Sequence, residues 1–125
     1  MQHSIQITRA SAGMAGERGK NTELAVKTYL RTLGQGKEKI LELYARDAIL
    51  LTPKGPFQGQ DAIAEFYEEF IRDTLPLLAL SYSLLRFDVV GEAAYLNWSA
   101  QPSIPTGSDT FLVHEGLIVL HTIHA

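Results

Sequence analysis

Asp109, His121 and Tyr29 are the side chains of this 125-residue sequence whose types and settings suit proton chemistry. Asp109 lies inside the otherwise mainly apolar hairpin Gly107–His124, where a carboxylate needs a partner or a purpose. Burial alone would favour its protonated form, a donor to a substrate oxygen. Pairing with a histidine would keep it ionised. Histidine changes charge near neutral pH, which suits His121 to general base work. Tyr29 lies on the apolar stripe of a helix, so its hydroxyl needs a ligand or another polar side chain. Each residue also has a structural reading: a strand carboxylate satisfied by backbone or by His121, a core histidine, a core tyrosine.

The elements that position them follow from periodicity and turn chemistry. Asn21 can cap a helix that runs to about Leu33, with Val26, Tyr29, Leu30 and Leu33 on one face and Gly34 ending it. A short helix follows from about Lys37 to Tyr44, then a strand from Ala48 to Thr52 stopped by Pro53. The stretch Pro53 to Gly59 reads as a loop. The strongest helix runs from Asp61 to Leu75, with Ile63, Phe66, Tyr67, Phe70 and Ile71 as its apolar stripe and Pro76 closing it. Beyond it the pattern is strand: about Leu78–Val90, Ala93–Pro102, Ser108–Val113 and Leu117–His124. Gly91-Glu92 suits a two-residue hairpin that pairs Val90 with Ala93, Asp88 with Tyr95, Arg86 with Asn97 and Leu85 with Trp98. His114-Glu115-Gly116 suits a three-residue loop that sets Val113 opposite Leu117, Phe111 opposite Val119 and Asp109 opposite His121. Phe57, Phe66, Phe70, Trp98 and Phe111 divide between core and the lining of a ligand pocket.

Composition is that of a globular domain, 46% hydrophobic and 20% charged, with net charge −3 and pI about 5.7. Lys and Arg are scattered, which argues against nucleic acid or an anionic membrane as partner. Cysteine is absent, removing disulfides, thiolate nucleophiles and cysteine metal sites. His121 and His124 project to opposite faces of a strand, no other cluster has metal spacing, and no phosphate loop or dinucleotide fingerprint implies a cofactor. Residues 1–20 read as a flexible arm without a signal-peptide core, making the cytoplasm the expected location. Residues 21–125 form the single expected domain.

Leu43-Tyr-Ala-Arg-Asp-Ala-Ile49, Phe57-Gln-Gly-Gln-Asp-Ala-Ile-Ala-Glu-Phe-Tyr67 and Ser108-Asp-Thr-Phe-Leu-Val-His-Glu-Gly-Leu-Ile118 together resemble the nuclear transport factor 2-like superfamily, in its SnoaL-like branch. The resemblance runs from about Thr22 onward. It implies an α+β cone in which a strongly bent antiparallel sheet wraps three N-terminal helices around an apolar pocket for a small organic ligand, commonly in a homodimer. Its members include ketosteroid isomerases, dehydratases and polyketide cyclases beside pure binding modules, so fold alone leaves function open. Ketosteroid isomerase combines a carboxylate base with a tyrosine and a protonated aspartic acid that hold the oxyanion. Tyr29 matches that tyrosine and Asp109 that aspartic acid, while the base position falls on Thr52. A threonine cannot take a proton from carbon at neutral pH. The resemblance thus implies either altered acid/base chemistry on a carbonyl compound, through Asp109, Tyr29 and His121, or a ligand-binding or dimerisation module.

Overall fold

The computed structural model describes residues 16–125. It is an α+β cone: three helical rods packed into a curved six-stranded sheet with strand order β2-β1-β6-β5-β4-β3. Helix α1 (Glu17–Thr32) starts four residues before the expected cap Asn21, so Glu17–Lys20, expected in the arm, are helical. Residues 1–15 of that arm lie outside the described residues. The helix buries Thr22, Val26 and Tyr29 against the sheet, the i, i+4, i+7 face its sequence encodes. A 3-10 turn (Leu33–Gln35) and Gly36, at φ 103°, lead into α2 (Lys37–Leu41).

Strand β1 (Tyr44–Thr52) begins earlier than expected and takes Tyr44 out of the helix and into the sheet. The stretch expected as loop is hydrogen-bonded too: β2 (Gly55–Gln58) pairs antiparallel with β1. The third rod is α3 (Gln60–Glu69), a π turn (Phe70–Thr74) and α4 (Leu75–Ser81). Pro76 was expected to end this helix and instead sits in the first turn of α4. A proline fits there because the π turn just before it breaks the regular α ladder that its ring and missing N–H would otherwise disturb. Strands β3 (Tyr82–Val90), β4 (Ala93–Ala100), β5 (Ile104–His114) and β6 (Leu117–His124) complete the sheet. One junction departs from the antiparallel expectation, since β1 and β6 run parallel.

Register is as expected at the Gly91-Glu92 turn, where Val90, Asp88 and Arg86 oppose Ala93, Tyr95 and Asn97. A bulge then brings Leu84, not Leu85, opposite Trp98. The last hairpin turns on two residues, Glu115 and Gly116, both at positive φ, so His114 opposes Leu117. A further shift beside Val113 sets Phe111 opposite His121 and Asp109 opposite Ile123, correcting the expected pairing. Asp109 and His121 are therefore diagonal neighbours on one face, still within reach across the ladder. That inner face and the helices share one core, which includes Ile40, Leu50, Ile63, Leu96, Phe111 and Ile118.

Candidate functional site

Alternation along β5 turns Gly107, Asp109, Phe111 and Val113 inward, so the acid is directed into the cone by the same pattern that builds the core. The Asp109 side chain is 8% exposed and that of His121 not at all. Trp98 Nε1–H, from β4, donates to Asp109 Oδ1 at 2.7 Å, and His121 Nε2 lies 2.7 Å from Oδ2. On the far side of the imidazole, Nδ1 is 2.7 Å from the Tyr44 hydroxyl. That hydroxyl is 2.6 Å from the hydroxyl of Tyr67 on α3, which is 2.8 Å from that of Tyr29 on α1. One buried chain of hydrogen bonds thus runs Trp98–Asp109–His121–Tyr44–Tyr67–Tyr29.

The directions of these bonds follow from counting donors. If His121 carries its proton on Nε2 and donates it to an ionised Asp109, Nδ1 accepts from Tyr44. Tyr44 then accepts from Tyr67, and Tyr67 from Tyr29. Every N–H and O–H in the chain has an acceptor in that arrangement. With a proton on Nδ1 the hydroxyls must reverse, and the Tyr29 hydrogen is left facing away from all of them. A single ring proton on Nδ1 would also leave bare Nε2 facing the Asp109 carboxylate at 2.7 Å, two acceptors with no hydrogen between them, so the first arrangement is the resting one. Asp109 then acts as an acceptor, with both oxygens already engaged. Burial, more than any neighbour, raises the pKa of Tyr29, Tyr44 and Tyr67 well above the ordinary phenol value, so all three hydroxyls are neutral.

Two spaces adjoin this chain. An inner cavity of about 20 Å³ is bordered by Tyr29, Leu96, Tyr82, Trp98 and Asp109, among others. It has room for about one water-sized group. An outer cleft of about 290 Å³ opens between Thr52, Phe66, Phe70, Trp98 and Ile123, close to the ~300 Å³ lower end for small-molecule pockets. Phe70, Trp98 and Ile123 border both spaces and separate them. The π turn contributes Phe70, Asp73 and Thr74 to the cleft, and such turns widen a helix and re-aim its side chains. The rim is charged, with Lys54 bonded to Glu69 beside Asp73.

Of the residues singled out in the sequence, Asp109 and His121 meet directly. Tyr29 joins them through two other tyrosines and borders the same cavity as Asp109. Phe66, Phe70 and Trp98 line the cleft. Phe57 packs edge-on against Phe66, with ring centroids 5.4 Å apart, and lines neither space. Phe111 is fully buried, stacked 4.1 Å from the His121 ring, and belongs to the core and not to a pocket wall. Thr52 borders the cleft, but its hydroxyl is engaged locally with Lys54 N and Gly55 O. Tyr44 and Tyr67 were not singled out as site residues, although a tyrosine on an apolar stripe needs a hydroxyl partner and three such tyrosines can satisfy one another. Among the described residues no group of three His, Asp or Glu side chains is placed to hold a metal, and no helix is long and apolar enough to cross a membrane.

A cone of helices and bent sheet with an ionisable group at its inner wall defines the class of protein to which nuclear transport factor 2-like domains belong. Residues 26–121 match the model of the SnoaL-like domain, and the chain belongs to that family. Among solved structures, it is similar to a nuclear transport factor 2-like protein of unknown function from Mesorhizobium loti. That match has a TM-score of 0.69 at 15% identity and covers 86% of this chain and 93% of the other. A protein provisionally described as a polyketide cyclase, from Sinorhizobium meliloti, aligns with a TM-score of 0.62 at 23% identity over 79% and 92% of the two chains. One provisionally described as a ketosteroid isomerase, from Kribbella flavida, gives 0.64 at 19% identity over 84% and 77%. These likenesses establish the fold. No curated protein matches.

Proposed function

We propose that this protein binds a small, mainly apolar organic molecule carrying a carbonyl group in the cleft between Thr52 and Trp98, and that Asp109 moves a proton on it. One observation carries the reading: Asp109, its carboxylate fixed by Trp98 and His121, borders an apolar cavity that Tyr29 also lines. With Phe70, Trp98 and Ile123 moved aside to open the inner cavity to the cleft, a carbonyl oxygen placed beside Tyr29 would put the adjacent carbon near Asp109. The carboxylate would take its proton, and the tyrosine would stabilise the charge developing on oxygen. Asp109 then supplies the base that the family position at Thr52 lacks. The provisional descriptions of two neighbours, as a polyketide cyclase and a ketosteroid isomerase, name reactions of carbonyl compounds and support the substrate class.

The test is deuterium exchange into 2-tetralone, an enolisable ketone with a flat apolar body, followed by NMR in D2O. The protein is expected to speed exchange about a hundredfold over buffer, the lower range for general acid/base catalysis. Asp109→Asn should remove that acceleration, and equal rates in the two proteins would exclude Asp109 as the base. The small inner cavity favours a second reading, binding without turnover, because Phe70, Trp98 and Ile123 stand between the cleft and Asp109. Saturable binding of 2-tetralone with no exchange would establish that reading instead.

A further inference from the structure

The chain of hydrogen bonds begins and ends at one place. Asp109 and Tyr29, four links apart along it, both border the inner cavity. Between them Tyr44 and Tyr67 are buried, border neither the inner cavity nor the cleft, and bond through their hydroxyls to their neighbours in the chain. Each hydroxyl has one hydrogen to donate, so the direction of every bond is tied to that of the next.

We infer that Tyr44 and Tyr67 are positioning residues that make Tyr29 a donor to a ligand oxygen only when His121 takes up one proton. In the resting direction Tyr29 gives its hydrogen to Tyr67 and offers a lone pair to the cavity. A ligand oxygen there, whether carbonyl or carboxylate, is also an acceptor, and two acceptors do not bond. For Tyr29 to turn its hydrogen to the ligand it must accept from Tyr67, which must accept from Tyr44, which needs a donor at Nδ1 of His121. The only supply is a proton from solvent on Nδ1. Each phenol keeps its own hydrogen and rotates it, so the single N–H bond gained balances the change. The histidine then forms a charged pair with Asp109, and the net negative charge of the empty site is neutralised. The titratable groups around the pair are Tyr44 from β1, Tyr29 from α1, Tyr67 from α3 and Tyr82 from β3, with the Phe111 ring stacked on the imidazole. Among the described residues no Lys or Arg forms an ion pair with Asp109. The ligand class that follows is an apolar body with an acceptor oxygen, and its binding draws in one proton.

The inference rests on the proposed use of the cleft as a ligand site but requires no turnover, so loss of 2-tetralone exchange leaves it standing. It is tested by 15N NMR of the His121 ring, with 2-naphthoate as the probe. In the free protein the proton is expected on Nε2 alone. Saturating 2-naphthoate should add a second on Nδ1, and calorimetry in two buffers of different ionisation enthalpy should register uptake of one proton. Tyr67→Phe, which loses only a hydroxyl, should still bind 2-naphthoate but leave His121 singly protonated and take up none. A resting proton on Nδ1 overturns the inference, and that measurement needs no variant. So does a second ring proton in the Tyr67→Phe complex, an unchanged ring in the wild-type complex, or failure of 2-naphthoate to bind.

Discussion

Gly107 lies directly beneath the Trp98 indole: a Cβ at position 107 would stand 2.3 Å from Cζ2 of that ring. The two residues face each other across the β4–β5 ladder, and the indole occupies the space a side chain at 107 would fill. From there its N–H reaches Asp109. The smallest residue of the hairpin thus sets the position of the group that holds the acid.

Gly107→Ala should therefore displace the indole and break its bond to Asp109. A stability loss of about 1–3 kcal/mol is expected, the usual cost of overpacking. The chain has one tryptophan, so its emission reports the displacement directly and should shift to longer wavelength. A urea midpoint and emission maximum equal to wild type would show that the indole does not need the glycine.

The Asp109–His121 pair should display strong coupling. His121→Phe removes the donor to a buried carboxylate and is expected to cost about 3–5 kcal/mol. Adding Asp109→Leu removes the stranded charge, so the double variant should recover a large part of that loss. A double-mutant cycle should give a coupling of about 2 kcal/mol or more. Simple additivity would mean that the two side chains do not depend on each other.

Alkaline pH should unfold the protein through its buried tyrosines. Burial raises the phenols of Tyr29, Tyr44 and Tyr67, and burial first with Asp109 second raises that of Tyr82. The unfolded chain ionises near the ordinary value of 10.0 while the folded one does not. A raised folded pKa stabilises fully below that value, and the contribution is lost as pH climbs past it toward the folded pKa. Absorbance at the phenolate band should rise for these four tyrosines only with loss of the native circular dichroism. Smooth ionisation of all of them in the folded protein would contradict their burial.

Thr22 ties α1 to the β3–β4 turn. Its Oγ1 lies 2.8 Å from both Arg18 O and Gly91 O, and a hydroxyl has one hydrogen to share between them. Thr22→Val keeps the shape and loses the bond, and should cost about 1 kcal/mol in denaturant unfolding. No loss would show that water serves Gly91 O equally well.

Much of this architecture is legible in the residues themselves. The Asp61–Leu75 stripe, the Gly91-Glu92 turn and the inward pattern around Asp109 each encode their element locally. Long-range effects were not visible in the same way. The extra residue that moves His121 opposite Phe111 is Val119 on β6, skipped between the pairs Val113–Ile118 and Leu112–Leu120, and nothing in Ile118-Val119-Leu120 announces it. Pro76 could equally close one helix or open another, and the π turn before it decides the matter. Tyr44 looked helical because its own neighbours favour a helix, yet pairing with β6 draws it into a strand. At the site, Asp109 and His121 were recognisable by type, whereas the tyrosine chain joins elements far apart in sequence and becomes apparent only when they are folded together.

The place of β6 in the sheet has a consequence for how the molecule is made. Last in sequence order among the strands of the described residues, it lies between β1 and β5 and is the only one of them bonded to both. Until it emerges from the ribosome, the β1–β2 hairpin and the β3–β5 meander each present an open edge where this strand belongs. Open edges recruit other strands, so this is the interval in which a growing chain is most exposed to mispairing. The same strand delivers His121. Asp109 precedes its histidine by 12 residues, and the two halves of the sheet and the two halves of the acid pair are joined in a single event.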